Sequence, residues 1–256
     1  MRIVVKVGTS TLAHPSGRLN IRRTEALCRV LSDIKNEGHE VVLVSSGAIG
    51  MGMGKLALRE RPTDIATKQA AAAVGQCDLM YTYDKMFAEH NHAIAQLLLT
   101  GADFESEERH RNLHNTLHRL LELGVLPIIN ENDTVATEEI KVGDNDTLSA
   151  LVAVSAEADL LILLSDIDGL FTADPHKDPA ATLIREVRGI DDTIRALAGG
   201  AGSSLGTGGM ATKLHAAELA TAGGCDMIIA NGNDPEILYD LINGGTVPHT
   251  KFYAET

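Results

Sequence analysis

Cysteine is scarce in this chain. Cys28, Cys77 and Cys225 are scattered, odd in number and form no CxxC pair, which leaves neither a disulfide framework nor a ribbon-type zinc site. They read as small buried apolar side chains in a reducing compartment. Basic charge is scarce too: 22 Lys and Arg stand against 35 Asp and Glu, a formal net charge of −13. Nucleic-acid binding needs a basic face, so a polymer partner is disfavoured while local binding of a nucleotide stays open. No apolar run reaches membrane length and the chain enters a short strand at once, so no membrane partner and a cytoplasmic location are expected. Two phosphate fingerprints are also missing. No GxxxxGK(S/T) occurs, and Gly50-Met51-Gly52 does not open a clean GxGxxG, so neither a P-loop nor a standard dinucleotide turn carries the chemistry.

What is present is a 256-residue chain, 44% apolar and 22% charged, long enough for one large core. Apolar runs at 2–7, 41–44, 93–99, 125–129, 160–164 and 226–230 read as buried strands, with a last strand expected at 246–252. Helical spacing or caps place helices at 21–37, 64–75, 78–89, 105–123, 147–158, 191–197, 210–222 and 235–242. Residues 182–187 read as a hairpin arm. This alternation predicts an α/β fold, a mostly parallel sheet sandwiched between helices, in a single domain with two lobes sharing the sheet. The polar and glycine-rich segments follow strands, so they should gather along one rim.

The densest of these segments is residues 130–146, NENDTVATEEIKVGDND. Long connections of this kind are usually functional or disordered, and this one ends on a helix start. One cap needs one Asp or Asn. Asp133, Asp144, Asn145 and Asp146, with Asn130, Glu131 and Asn132, exceed that need and indicate a polar site. Lys6 is the anomaly of the first strand, open to two readings: an ammonium at a strand end facing an anion, or an edge Lys reaching water. Gly8-Thr9-Ser10-Thr11 could set backbone N–H groups near a phosphate, as could the glycine-rich turn 45–54. Ser165 to Pro175 is either a ligand-contacting rim or an Asp/Gly/Pro turn. Gly199–Gly209 opens onto a helix that carries Lys213 in its first turn, where a lone cation opposes the helix dipole. His110, His114 and His118 recur at four-residue spacing. No acidic third ligand stands out on their face, and Arg109, Arg111 and Arg119 interleave them, so the stripe reads as exposed or subunit-facing rather than metal-binding.

VVKVGTST, VVLVSSGAIGMG, INENDTVATEEIKVGDNDTLSALVA, LLSDIDGLFTADP and GTGGMATKLHAAELA, in this order, resemble the amino acid kinase family over essentially the whole chain. The INEND and KVGDND blocks resemble those of the members that phosphorylate the side-chain carboxylate of L-glutamate. The resemblance implies an ATP-dependent, Mg²⁺-requiring kinase with Mg²⁺ bridged by the ATP phosphates and no protein metal ligand assigned. It puts Lys6 and Lys213 on the transferring phosphate with Asp146 holding both ammonium groups. It puts Ser46, Gly47, Asp133 and Asn145 on glutamate. Lys6, Gly8, Ser165, Asp166 and the run Thr207, Gly208, Gly209, Met210, Ala211, Thr212 and Lys213 fall on ATP. The amino-terminal part would take glutamate and the carboxy-terminal part ATP. Inhibition by L-proline, hand-off to a glutamyl phosphate reductase and a homo-oligomer are also implied. Many members continue into an RNA-modification-type (PUA) domain, which is not expected here, since the chain ends at Thr256. The rival expectations are a sibling kinase on another small acid, a nicotinamide-dependent oxidoreductase, and a non-catalytic sensor. Closure of Gly199–Gly209 over the site, excluding water from an acyl phosphate, is a further expectation.

Overall fold

The structure is a computed structural model that describes residues 1–14, 18–136, 144–175, 177–198 and 209–255. The first half runs β1 (Arg2–Val7), α1 (Thr9–Leu12), α2 (Ile21–Asn36), β2 (Glu40–Ser45), α3 (Ala48–Lys55), α4 (Ile65–Ala88) and β3 (Ile94–Leu99). It continues through α5 (Gly101–Glu105), α6 (Glu107–Glu122), β4 (Leu126–Glu131), α7 (Asn145–Ser155) and β5 (Leu160–Ser165). The last part holds β6 (Leu170–Phe171), β7 (Leu183–Ile184), β8 (Glu186–Val187), α8 (Asp192–Leu197), α9 (Met210–Ala222), β9 (Asp226–Asn231), α10 (Ile237–Ile242) and β10 (His249–Phe252).

Among the described residues, eight strands form one sheet in the order β3-β4-β2-β1-β5-β9-β10-β8, and β6 and β7 form a separate antiparallel pair. All neighbours in the large sheet are parallel except β9 and β10. The expected mostly parallel α/β/α sandwich is therefore the observed one. Its strands are near-continuous apolar runs because both sheet faces are covered. Alternate residues divide between two cores. Ile3, Val5 and Val7 of β1 pack with α2, α4 and α10, whereas Val4 packs with α6, α7 and α9. The period of two then puts the next even position, Lys6, on the α7 and α9 face at the carboxyl end of the central strand. That is the rim where Ser45, Asn130 and Ser165 also sit: Ser45 pairs with Val7, and Ser165 follows Leu164, the other partner of Val7.

Several boundaries differ from the sequence reading. Residues 64–89 form one helix rather than two, because Gly75 does not break α4: a side chain there would sit 1.7 Å from the Ala48 carbonyl oxygen. The glycines after Gly47 belong to α3, not to an open turn, and Gly52 faces Ala71 just as closely. Two helices touching backbone to backbone need glycine at the crossing. The helix expected at 105–123 is broken at Ser106, which caps α6, while Thr100 and Asp103 form a capping box on α5. The last strand begins at His249 rather than at 246. Cys28 and Cys225 are buried, but Cys77 lies on the outer side of α4 and is exposed. The histidine stripe of α6 is half-buried against the carboxyl end of α7: His110 Nε2 lies 2.8 Å from Ser155 Oγ, and Glu157 faces His114 and His118. Its acidic neighbour comes from 39 to 43 residues downstream, so no local spacing announces it.

Candidate active site

Two helices on one face of the sheet start at the rim where Lys6 emerges. α7 brings Asp146 in its first turn and α9 brings Lys213 in its own. Asp146 is 1% exposed. The Lys6 ammonium lies 2.7 Å from Oδ1, and Lys213 Nζ donates to Oδ2 at 3.1 Å. The Lys6 contact is an ion pair off the direction of a hydrogen bond, which leaves Oδ1 with a charge partner but no aligned donor. Thr212 Oγ1 lies 2.9 Å from Oδ2 and 2.8 Å from the Gly209 carbonyl, tying the start of α9 to the same carboxylate. Burial pushes the Asp146 carboxyl up, but the two lysines outweigh it and hold the carboxyl at about 2. At neutral pH Asp146 is a fixed anion with both oxygens engaged.

Beside it stands a neutral network. Asn145 Nδ2 is within reach of the Ser45 carbonyl (3.0 Å), Ser46 Oγ (2.7 Å) and Asn130 Oδ1 (3.1 Å). Asn130 accepts from its neighbour's backbone at Glu131 N (2.9 Å) and donates to Gln76 Oε1 at 3.0 Å. Ser45 Oγ meets Tyr83 OH at 2.8 Å. The Tyr83 phenol is pushed up by burial and stays protonated. Ser46, Asn145 and Asn130 thus come together from three elements. Asp133 occupies the turn that leaves β4 and is half-buried.

The amino ends of the helices divide sharply. Asn20, Asp64, Ser106, Asp144 and Asp191 cap α2, α4, α6, α7 and α8 with a side-chain oxygen. At α1, α3 and α9 the cap residues are Gly8, Gly47 and Gly209, and no side chain caps them. All three follow the same strand rim or face Lys213, and each leaves first-turn N–H groups for an anion. Gly47 sits at φ +105°, a left-handed conformation that a side chain would strain. A Cβ at Gly8 would lie 3.6 Å from Lys6 Nζ, in ordinary contact with that ammonium. α10 is also uncapped, at Glu236.

Ser165 ends β5 and its Oγ donates to Asp166, which is exposed. Met210 and Ala211 form the first turn of α9. Thr207 and Gly208, with most of Gly199–Gly209, lie outside the described residues. Gln76 is the participant that sequence reasoning missed. It is a lone amide in the apolar stripe of α4 between Ala72 and Leu79, and a polar residue on a buried face is the signal that would have found it.

Residues 1–231 match the model of the Amino acid kinase family. The chain is 55% identical over 242 residues to a Glutamate 5-kinase of Clostridium acetobutylicum, covering 94% of this chain and 91% of that one. It is also 55% identical over 258 residues to a Glutamate 5-kinase of Clostridium perfringens, covering 99% and 96%. Among solved structures, the isopentenyl phosphate kinase product complex of T. acidophilum superposes with a TM-score of 0.67, covering 98% of this chain and 100% of that one at 16% identity. That likeness is one of fold.

Proposed function

We propose the function of this chain from a plain premise, that it belongs to the amino acid kinase family. It transfers the γ-phosphoryl group of ATP to the side-chain carboxylate of L-glutamate, giving L-glutamyl 5-phosphate, the first step of proline biosynthesis. The observation that carries this reading is the convergence of Lys6 and Lys213 on Asp146, next to the Ser46–Asn145 pair.

The acceptor carboxylate is ionised at neutral pH, with an ordinary pKa near 4.3, so no general base is required. Asp146 could not serve as one, because its carboxyl is held at about 2 and both oxygens are engaged. The obstacle is repulsion between two anions. A carboxylate oxygen forms a bond to the γ-phosphorus while the bond to the bridging oxygen breaks and ADP leaves. Charge spread over the transferring group meets two ammonium groups and the uncapped N–H groups of α9. Asp146 offsets the mutual repulsion of the two lysines and holds them side by side. Mg²⁺ bound together with the nucleotide would supply further neutralisation of the phosphate charge. Its fit is through ATP, since Asp146 has no free oxygen to ligate it.

Glutamate lies against Ser46, Gly47 and Asn145, with the Asp133 carboxylate suited to its α-ammonium. ATP lies along Gly8, Ser165, Asp166 and the start of α9. The chain acts as one domain, its amino-terminal part taking glutamate and its carboxy-terminal part ATP. Inhibition by L-proline, hand-off to a glutamyl phosphate reductase, a homo-oligomer and a cytoplasmic location complete the reading. No described helix is long and apolar enough to cross a membrane. The test is ATP turnover with hydroxylamine, which traps an acyl phosphate as a hydroxamate. Hydroxamate formed with L-glutamate, and not with aspartate or acetylglutamate, is the expected result. ATP hydrolysis with no hydroxamate, or a preference for another acid, overturns it.

A further inference from the structure

α6 carries His114 and His118 one turn apart, on the side that packs toward the carboxyl end of α7. Their rings stack with centroids 4.1 Å apart. Glu157, just past the end of α7, closes the group: its Oε1 is 3.5 Å from His114 Nε2 and its Oε2 is 4.0 Å from His118 Nε2. The three ligand atoms lie within 4.8 Å of one another. His118 Nε2 is buried and has no hydrogen-bond partner. A buried ring nitrogen without a partner is uncommon, and a metal ion would satisfy it.

The backbone supports the placement. α2, α6, α9 and α10 are each followed by a left-handed glycine, at Gly38, Gly124, Gly224 and Gly244. After α7 that place is held by Glu157 at φ +51°, as it is by Ala57 at φ +53° after α3, a conformation that costs a non-glycine residue on the order of 1 kcal/mol. The conformation carries the Glu157 side chain to the histidines of α6. The charge balance accepts a cation: of the charged groups nearby, Glu40 pairs with Arg2 at 2.9 Å, while Arg2 also donates to the Ala156 carbonyl. That leaves the Glu157 carboxylate facing the imidazoles.

We propose that His114, His118 and Glu157 form a binding site for a divalent transition-metal ion of the zinc type. Two imidazoles and a carboxylate suit Zn²⁺, Ni²⁺ or Cu²⁺, whereas Mg²⁺ prefers oxygen donors, so the site is chemically separate from the nucleotide. Tetrahedral zinc with bonds near 2.0 Å needs ligand atoms about 3.3 Å apart. The three ligand atoms, now within 4.8 Å of one another, would close to that spacing on rotation of the exposed Glu157 and half-buried His114 side chains. A fourth position is left for water. The ion would clamp α6 to the end of α7, the helix whose other end bears Asp146. The proposal stands independently of the kinase reading.

The test is calorimetric titration of the untagged, chelator-stripped full chain with Zn²⁺ alone, without nucleotide. One ion per chain with micromolar or tighter affinity is expected. His114→Ala and His118→Ala should each weaken it by at least about tenfold, and Glu157→Gln by about tenfold. His110→Ala, whose ring is engaged with Ser155, should change it less than twofold. Because a ligand of the folded state raises its melting temperature, Zn²⁺ at a hundredfold excess over Kd should raise Tm by about 5 °C, an increase lost in His114→Ala. If His118→Ala fails to fold, His114→Ala and the exposed Glu157→Gln decide the matter alone. No saturable binding, or binding that survives His114→Ala and Glu157→Gln unweakened, overturns the proposal.

Discussion

The two halves of the site solve opposite problems with opposite materials. The phosphoryl end is built from full charges taken out of water: Lys6, Asp146 and Lys213 are all buried. The neighbouring end is a neutral chain of amides and hydroxyls, Gln76, Asn130, Asn145 and Ser46. Charges at the first end are tolerable only because each is paired, and breaking such a pair strands a charge in low dielectric. Neutral groups at the second end lose one hydrogen bond at a time. The first should therefore fail abruptly and the second by degrees.

The sharpest break of this contrast is Lys6→Ala or Lys213→Ala. On the proposed reading each removes a preorganised donor to the transferring phosphoryl group, and kcat should fall at least about a hundredfold. Steady-state turnover with glutamate and ATP measures this. Turnover within threefold of the parent would detach the cluster from the chemistry.

Next in size is the response to acid. The Asp146 carboxyl is at about 2 in the folded protein against an ordinary value of 3.8. A depressed carboxylate stabilises above its unfolded pKa, and the contribution is lost as pH falls from about 4 toward 2. It amounts to about 2 kcal/mol. The neutral network contributes nothing comparable. Lys213→Met removes one of the two cations and should move the acid-unfolding midpoint to higher pH, followed by circular dichroism. An unchanged midpoint would mean that Lys213 does not hold the carboxylate.

Most of this architecture could be read from the residues, because strands buried on both faces are unbroken apolar runs and a Lys within one is conspicuous. Lys6, Asp146 and Lys213 drew attention as charges against local expectation, and the fold brings the three together. What could not be read is set by tertiary contact. Gly75 looks like a helix end until α3 is laid against it, and Gln76, although its place in an apolar stripe marks it, has no identifiable partner until Asn130 meets it. Glu122 continues the four-residue spacing of the histidine stripe but pairs with Arg119, and the acid that meets the rings, Glu157, arrives only when the end of α7 packs on α6. The contact of the Thr212 hydroxyl with Asp146 was likewise invisible, since it joins residues 66 apart in the chain.

The smallest effect, and the one that sharpens the contrast most, lies at the neutral end. Ser46→Ala removes one of three acceptors around Asn145 Nδ2 while leaving the Ser45 carbonyl and Asn130 in place. One neutral hydrogen bond is worth about 1 kcal/mol, so KM for glutamate should rise about fivefold with kcat little changed. Asp133→Ala removes a carboxylate that stands outside the neutral network and is proposed to meet the α-ammonium, and it should raise KM further, again with kcat preserved. ATP KM should stay constant in both, because neither residue is placed on the nucleotide. A fall in kcat as large as that of the lysine variants would mean that the two ends act as one unit, and the division between charged and neutral halves would be lost.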